Sequence, residues 1–193
     1  LMAVSQAALR FHFSEPGDGG LAAAERALSI DANLAEAHAA IARVQTSNSK
    51  YDEAQREIET ALRLDSESFE VKTGAARLNY AQGRYEDATR YYEKAASLME
   101  SDFSSVAMLI ACYRSLGNQA GLRHAAQRTL ARAEKIAAQE PDNGMAMGYV
   151  VMSLIALGQG DRARELAKRA MLLDPDNLTM RYNFACGFVE LKD

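Results

Sequence analysis

Few residue groupings in this chain could do chemistry. Gly158-Gln-Gly160-Asp-Arg-Ala163 reads as GxGxxA after an apolar run, the spacing that cradles a dinucleotide pyrophosphate. That use needs a preceding strand and a βαβ context. Here the stretch lies in register with 83–88 and 49–54, so a helical hairpin turn is the better reading. His12, His38 and His124 are scattered with no partner four residues away. A metal needs three or four converging ligands, so none is expected. Cys112 and Cys186 stand 74 residues apart, without CxxC spacing. They read as two small buried residues in a reducing compartment, the cytoplasm, and not as a disulfide framework. No Ser–His–Asp or Cys–His order stands out. Arg128, Arg132 and Lys135 form a stripe at i, i+4 and i+7 that could meet nucleic acid, an anionic membrane or an acidic domain. Glu134 and Glu140 dilute it, and a solvated face is the expectation. The chain is therefore read as no enzyme, and no cofactor is expected.

The elements that would position any site are legible from composition and spacing. The chain has 193 residues, 48% of them apolar and 25% charged, with net charge −4. That excludes disorder and disfavours avid nucleic-acid binding, which needs excess Lys and Arg to displace counterions. With 36 Ala, 8 Met, 3 Pro and no Trp, helix is favoured. The longest mostly apolar run, Met145 to Gly158, is too short to cross a bilayer, so no membrane partner is expected. Residues 1–10 lack the order of a signal peptide. A start at Leu1 and a stop within a pattern read as a piece of a longer protein.

Sliding the chain on itself exposes a repeat. YDEAQREIETALRLD at 51–65 falls on YEDATRYYEKAASLM at 85–99, and AERALSIDANLAEAH at 24–38 falls on IETALRLDSESFEVK at 58–72, each at a shift of 34. Repeats start near Leu1, Ala35, Phe69, Phe103, Gly144 and Leu178. Four of the five intervals are 34 and one is 41. The extra seven residues, about two helical turns, fall within Ala120 to Glu140 and predict a longer second helix there. Each repeat reads as two helices. Gly83, Gly117 and Gly158 share the register position of a left-handed residue closing the first helix. Repeat two has Asn48-Ser49 there, and Asn48 is the expected left-handed residue. The Asp and Asn of 140–143 and 174–177 are placed to cap the next first helix. Small residues at the eighth, twentieth and twenty-seventh positions (Ala42, Ala76, Ala54, Ala88, Ala61, Ala95) let helix axes approach closely.

The period, the two-helix unit, those small residues and Pro175 at position thirty-two resemble the tetratricopeptide repeat (TPR) family over essentially the whole chain. Aromatic positions match in part, through Phe11, Tyr113, Phe188 and Tyr92. Gln45, Asn79 and Lys72 depart, and 14–20 (SEPGDGG) replaces the usual turn of the first hairpin. The resemblance implies an all-α, right-handed solenoid over residues 1–193, of about five hairpins and a final single helix, about eleven helices. The C-terminal half is similar to TPR regions of bacterial multidomain signalling proteins, whose other domains are cyclases, kinases or winged helices. That resemblance implies an alternative role as a regulatory or oligomerisation segment of such an enzyme.

The resemblance also implies what the solenoid does: it binds a peptide or protein segment in a concave groove lined by first helices. By the family's register the groove holds positions two, five, nine, twelve and thirteen of each first helix. Carried onto this chain these are Glu36 and Glu70, Arg43 and Arg77, and His12, Tyr80 and Arg114, with Tyr149, Met152, Met145 and Ile155 nearer the C-terminus. Arg43, Arg77 and Arg114 would contact an acidic or carboxylate-bearing peptide, since guanidinium suits bidentate carboxylate recognition. The plainer reading is that these arginines are solvated or paired with Glu36 and Glu70. Ser5, Leu9, Ala39 and Ala40 stand where chaperone-tail clamps carry Lys and Asn, so that partner is not expected. His38 is expected to be a packed core histidine. Phe184 and Phe188 are expected to lack a covering helix, which predicts a homodimer or a missing C-terminal helix.

Overall fold

A computed structural model describes residues 20–191. Ten helices and no strand occur among the described residues. The chain divides into two compact units, Leu1–Leu98 and Met99–Asp193. The expected opening helix of the first hairpin, with His12, Phe11, Ser5 and Leu9, falls outside the described residues.

The first unit holds α1 (Leu21–Ile30), α2 (Ala35–Ser47), α3 (Tyr51–Leu64), α4 (Phe69–Ala81) and α5 (Tyr85–Leu98). Its core is built largely of alanine. Ala42, Ala54, Ala61, Ala75, Ala76, Ala88 and Ala95 are fully buried, with Ile58, Val71, Leu78 and Tyr92 as the larger side chains. Small side chains at the crossing points bring the helices close. A Cβ added at Gly74 would sit 3.0 Å from Ile58 Cδ1 and 3.6 Å from Ala39 Cβ, so α4 meets both α2 and α3 there.

The second unit holds α6 (Ser104–Ser115), α7 (Gln119–Gln139), α8 (Gly144–Ala156), α9 (Gly160–Leu173) and α10 (Leu178–Glu190). The helix lengths locate the 41-residue interval. α7 has 21 residues, seven more than the 14 of α3, α5 and α9. Here the core is one cluster of bulky side chains: Met147, Val150, Val151, Leu154, Ile155, Met180 and Phe184.

First helices begin at or within one residue of the spacing-derived starts 35, 69, 103, 144 and 178. They end alike. Gly83, Gly117 and Gly158 take φ of 74°, 68° and 77°. The next residue then donates its N–H to the carbonyl five residues back: Arg84 to Asn79, Asn118 to Tyr113 and Gln159 to Leu154, each at 2.9 Å. This six-to-one bond satisfies carbonyls the helix leaves unpaired. In repeat two the left-handed residue is Ser49, at φ 59°, and not Asn48, which stays at φ −90°. The register position outweighs the residue preference, because Lys50 N–H must reach Gln45 O.

Three sequence expectations need correcting. Phe184 is 3% exposed and Phe188 packs against the second unit's core, so neither lacks cover. α10 leaves Leu178, Tyr182 and Val189 in solvent instead. Cys186 is exposed; only Cys112 is buried, and neither is in a disulfide. His38 is no plain core residue. Its Nδ1 lies 2.6 Å from Glu57 Oε2 and its Nε2 3.2 Å from Ala32 O, tying α2 to α3 and to the turn before it. The GxGxxA stretch joins α8 to α9, with helix where a nucleotide fold would have strand. Among the described residues, no helix is long and apolar enough to cross a membrane.

Candidate protein-binding face

In the first unit, positions two and nine of a first helix are seven residues apart. Seven residues are about two helical turns, so both positions lie on one face. On α2 these are Glu36 and Arg43; on α4, Glu70 and Arg77. The glutamates sit in the first turns, where the helix dipole favours a carboxylate. Buried Ser68, just before α4, lies between them. Its hydroxyl is 3.2 Å from Glu36 Oε1 and 3.3 Å from Glu70 Oε2, and it has one hydrogen to donate. Two carboxylates from neighbouring first helices thus share one buried hydroxyl.

Arg43 and Arg77 are half-buried. The Arg43 pKa is lowered to about 10, chiefly by desolvation and then by the like charge of Arg77, with Glu70 opposing both. Those influences place Arg77 and Glu70 within electrostatic reach of Arg43. Burial strips water from the guanidinium while a second cation stands nearby, and a carboxylate at hand favours its charged form, as Glu70 does. Tyr80 is three residues on from Arg77 along α4, and such pairs are surface neighbours. Its ring meets the edge of Tyr85 at 5.6 Å.

The remaining residues singled out by register lie in the second unit. Arg114 is exposed in the last turn of α6. Tyr149 and Met152 pack against the core cluster. The Tyr149 ring is 4.9 Å from Phe103, and its hydroxyl is 3.4 Å from Ser104 Oγ. Sequence reasoning missed Ser68. A serine before a first helix reads as a cap, but it makes no side-chain cap bond. Its role depends on Glu36, 32 residues away. The basic stripe on α7 is not wholly a solvated face either. Arg132 Nη1 donates to Asp102 O at 2.7 Å and to Met99 O at 3.3 Å, clamping the turn that precedes α6. Lys72, at a position the family fills with bulk, is buried with Nζ 3.6 Å from Glu67 Oε1 and 5.8 Å from the Tyr91 ring centre.

No family model matches the chain, and no curated protein sequence matches it. Solved structures do. TTC0263, a thermophilic TPR protein of Thermus thermophilus, is 18% identical and superposes with a TM-score of 0.68 over 97% of this chain and 96% of that one. Pseudomonas aeruginosa PilF is 19% identical, with a TM-score of 0.63 over 99% of this chain and 89% of its own. YrrB, a TPR protein with an unusual peptide-binding site, is 20% identical, with a TM-score of 0.54 over 93% of this chain and 89% of its own. At such identities the likeness is one of fold. Together with the 34-residue period, the glycine-closed first helices and the alanine crossing points, it shows that this chain has the tetratricopeptide-repeat fold.

Proposed function

We propose that the chain is a non-catalytic protein-interaction scaffold whose first unit captures an acidic polypeptide segment along α2 and α4, in the groove formed by first helices. Arg43 and Arg77 pair with its carboxylates, and Tyr80 packs beside them. The observation that carries this reading is the convergence of two half-buried guanidiniums from neighbouring helices. Planar, weakly hydrated guanidinium suits a partly desolvated carboxylate contact better than ammonium does. The peptide-binding site of YrrB lends support by analogy of fold. Taken by itself, the second unit offers exposed Arg114 as an acidic-segment contact and Tyr149 and Met152 as apolar contacts. Two cysteines outside any disulfide fit a reducing, cytoplasmic setting.

The test uses a fluorescein-labelled oligoglutamate peptide and the full chain. Binding is expected to weaken with added salt, because the contacts are only partly buried. The double reversal Arg43→Glu, Arg77→Glu is expected to cut affinity by at least about tenfold, a loss of about 1.4 kcal/mol. Unchanged binding in that variant would discard the assignment. Self-association is a second reading. The observation favouring it is that α10 leaves large apolar side chains in solvent.

A further inference from the structure

We propose that the groove of the first unit selects a segment of two opposite charges. A cationic side chain lies against Glu36 and Glu70, and carboxylates about 10 Å further on lie against Arg43 and Arg77. The inference rests on the acidic-segment reading and gives that segment its second, opposite charge.

Two tiers of opposite sign cross the same pair of helices. Glu36 of α2 and Glu70 of α4 make one tier. Arg43 and Arg77, seven residues on in each helix, make the other. Position five stands between the tiers on the same face, three residues from one and four from the other. It holds Ala39 and Thr73. Ala39 is buried, and the Thr73 hydroxyl donates to Phe69 O of its own helix at 2.9 Å. The floor between the tiers is thus small and uncharged. At about 3.3 Å per residue, an extended segment lying along it covers the interval in about three residues.

What the acidic tier takes follows from how it is held. Among the described residues, neither glutamate is ion-paired. Both carboxylates instead meet the buried Ser68 hydroxyl, whose one hydrogen cannot serve the two at once. Two like charges from neighbouring helices are thereby held close, with acceptor capacity left over. A cation between them offsets the repulsion, and a guanidinium has donors enough to bond both. A further carboxylate there would add a third like charge. The basic tier asks for the reverse: Arg77 disfavours the charge on Arg43, and Glu70 favours it. That influence of Glu70 also puts the two tiers in one field, so each shapes what the other accepts. A uniformly acidic segment lying along both gains at one tier and loses at the other. A segment with its charges separated gains at both.

Fluorescence anisotropy of the full chain with capped peptides, all bearing the same dye, tests this. Arg-Arg-Ser-Glu-Glu and its reverse present the two directions of the charge order. Glu-Arg-Ser-Arg-Glu has the same composition without the separation, and Glu-Glu-Ser-Glu-Glu is uniformly acidic. One separated peptide is expected to bind at least about fivefold tighter than both of these, the effect of two partly exposed ion pairs. Glu36→Gln with Glu70→Gln is expected to bring it down to the level of the mixed peptide. The uniformly acidic peptide should bind that variant as well as before, or better. Ser68→Ala, which lets the carboxylates part, is expected to narrow the preference. Circular dichroism checks that the variants fold, and Glu36→Gln alone is the milder change. Separated and mixed peptides that bind alike, or a uniformly acidic peptide that binds tightest, overturn the inference and leave acidic capture standing. A preference that survives in the glutamine variant overturns the part given to Glu36 and Glu70. Binding of no peptide at all overturns the inference and acidic capture together.

Discussion

The two units meet the same 34-residue specification with different materials. The first packs alanine against alanine and carries charge at positions two and nine: Glu36, Glu70, Arg43 and Arg77. The second packs Met, Val, Leu, Ile and Phe in one cluster. At the same positions it carries Ser104, Met145, Ala111 and Met152. Three of its helices also receive side-chain caps, which α2, α3 and α4 of the first unit lack. Asn118, Asn143 and Asn177 accept from Gly121, Ala146 and Met180 N–H at 2.8–2.9 Å, while Leu34, Lys50 and Ser68 make no such bond. The contrast separates two layers of information. Crossing-point residues decide that hairpins stack, and face residues decide what a hairpin presents to solvent.

Opposite volume changes would break the comparison if the cores were in truth alike. Leu154→Ala, in the bulky core, is expected to cost about 2–5 kcal/mol, since the cavity it leaves collapses only partly. Ala76→Leu, in the alanine core, is expected to cost about 1–3 kcal/mol by forcing helices apart. Urea unfolding of both variants measures these losses, and a neutral Ala76→Leu would show the close approach at that crossing to be unnecessary.

A smaller effect sharpens the contrast between the faces. Burial and the nearby Arg77 hold the folded Arg43 pKa at about 10, below its unfolded value, so between the two the unfolded chain holds its proton more tightly. Stability therefore rises with pH across that window, and the cost of holding the cation is fully present at neutral pH. Partial exposure screens the cost, leaving about 1 kcal/mol. Arg43→Met, which keeps an unbranched apolar stem, is expected to stabilise the chain by about that amount while weakening acidic-peptide capture. The gain over wild type should shrink as pH is raised through about 10. Urea titrations at neutral and alkaline pH follow it. A destabilised variant would mean that the interactions Arg43 makes outweigh its desolvation cost.

Much of the candidate face was legible before the structure, but unevenly. Arg43 and Arg77 could be found because a fixed period projects equivalent positions onto one side. Ser68 could not, because its contact with Glu36 joins residues from neighbouring repeats. His38 likewise looked like packing until Glu57 and the Ala32 carbonyl were placed around its ring. The uncovered face of α10 was misassigned to Phe184 and Phe188 for a related reason. Hydrophobicity marks which residues seek burial, yet whether α8 already covers them depends on how the two helices pack.

What the linear order of residues determined by itself is, among the described residues, the starts of the first helices, the long α7 and the glycine-closed turns. Those follow from local periodicity and from steric rules that act within a few residues of one another. Only the tertiary structure decided that Ser49 and not Asn48 takes the left-handed turn, that Arg132 clamps a turn, and that Arg43 loses water beside Arg77. Each of those depends on groups far apart along the chain or on a carbonyl that must be met, and no local preference encodes where such partners come to lie.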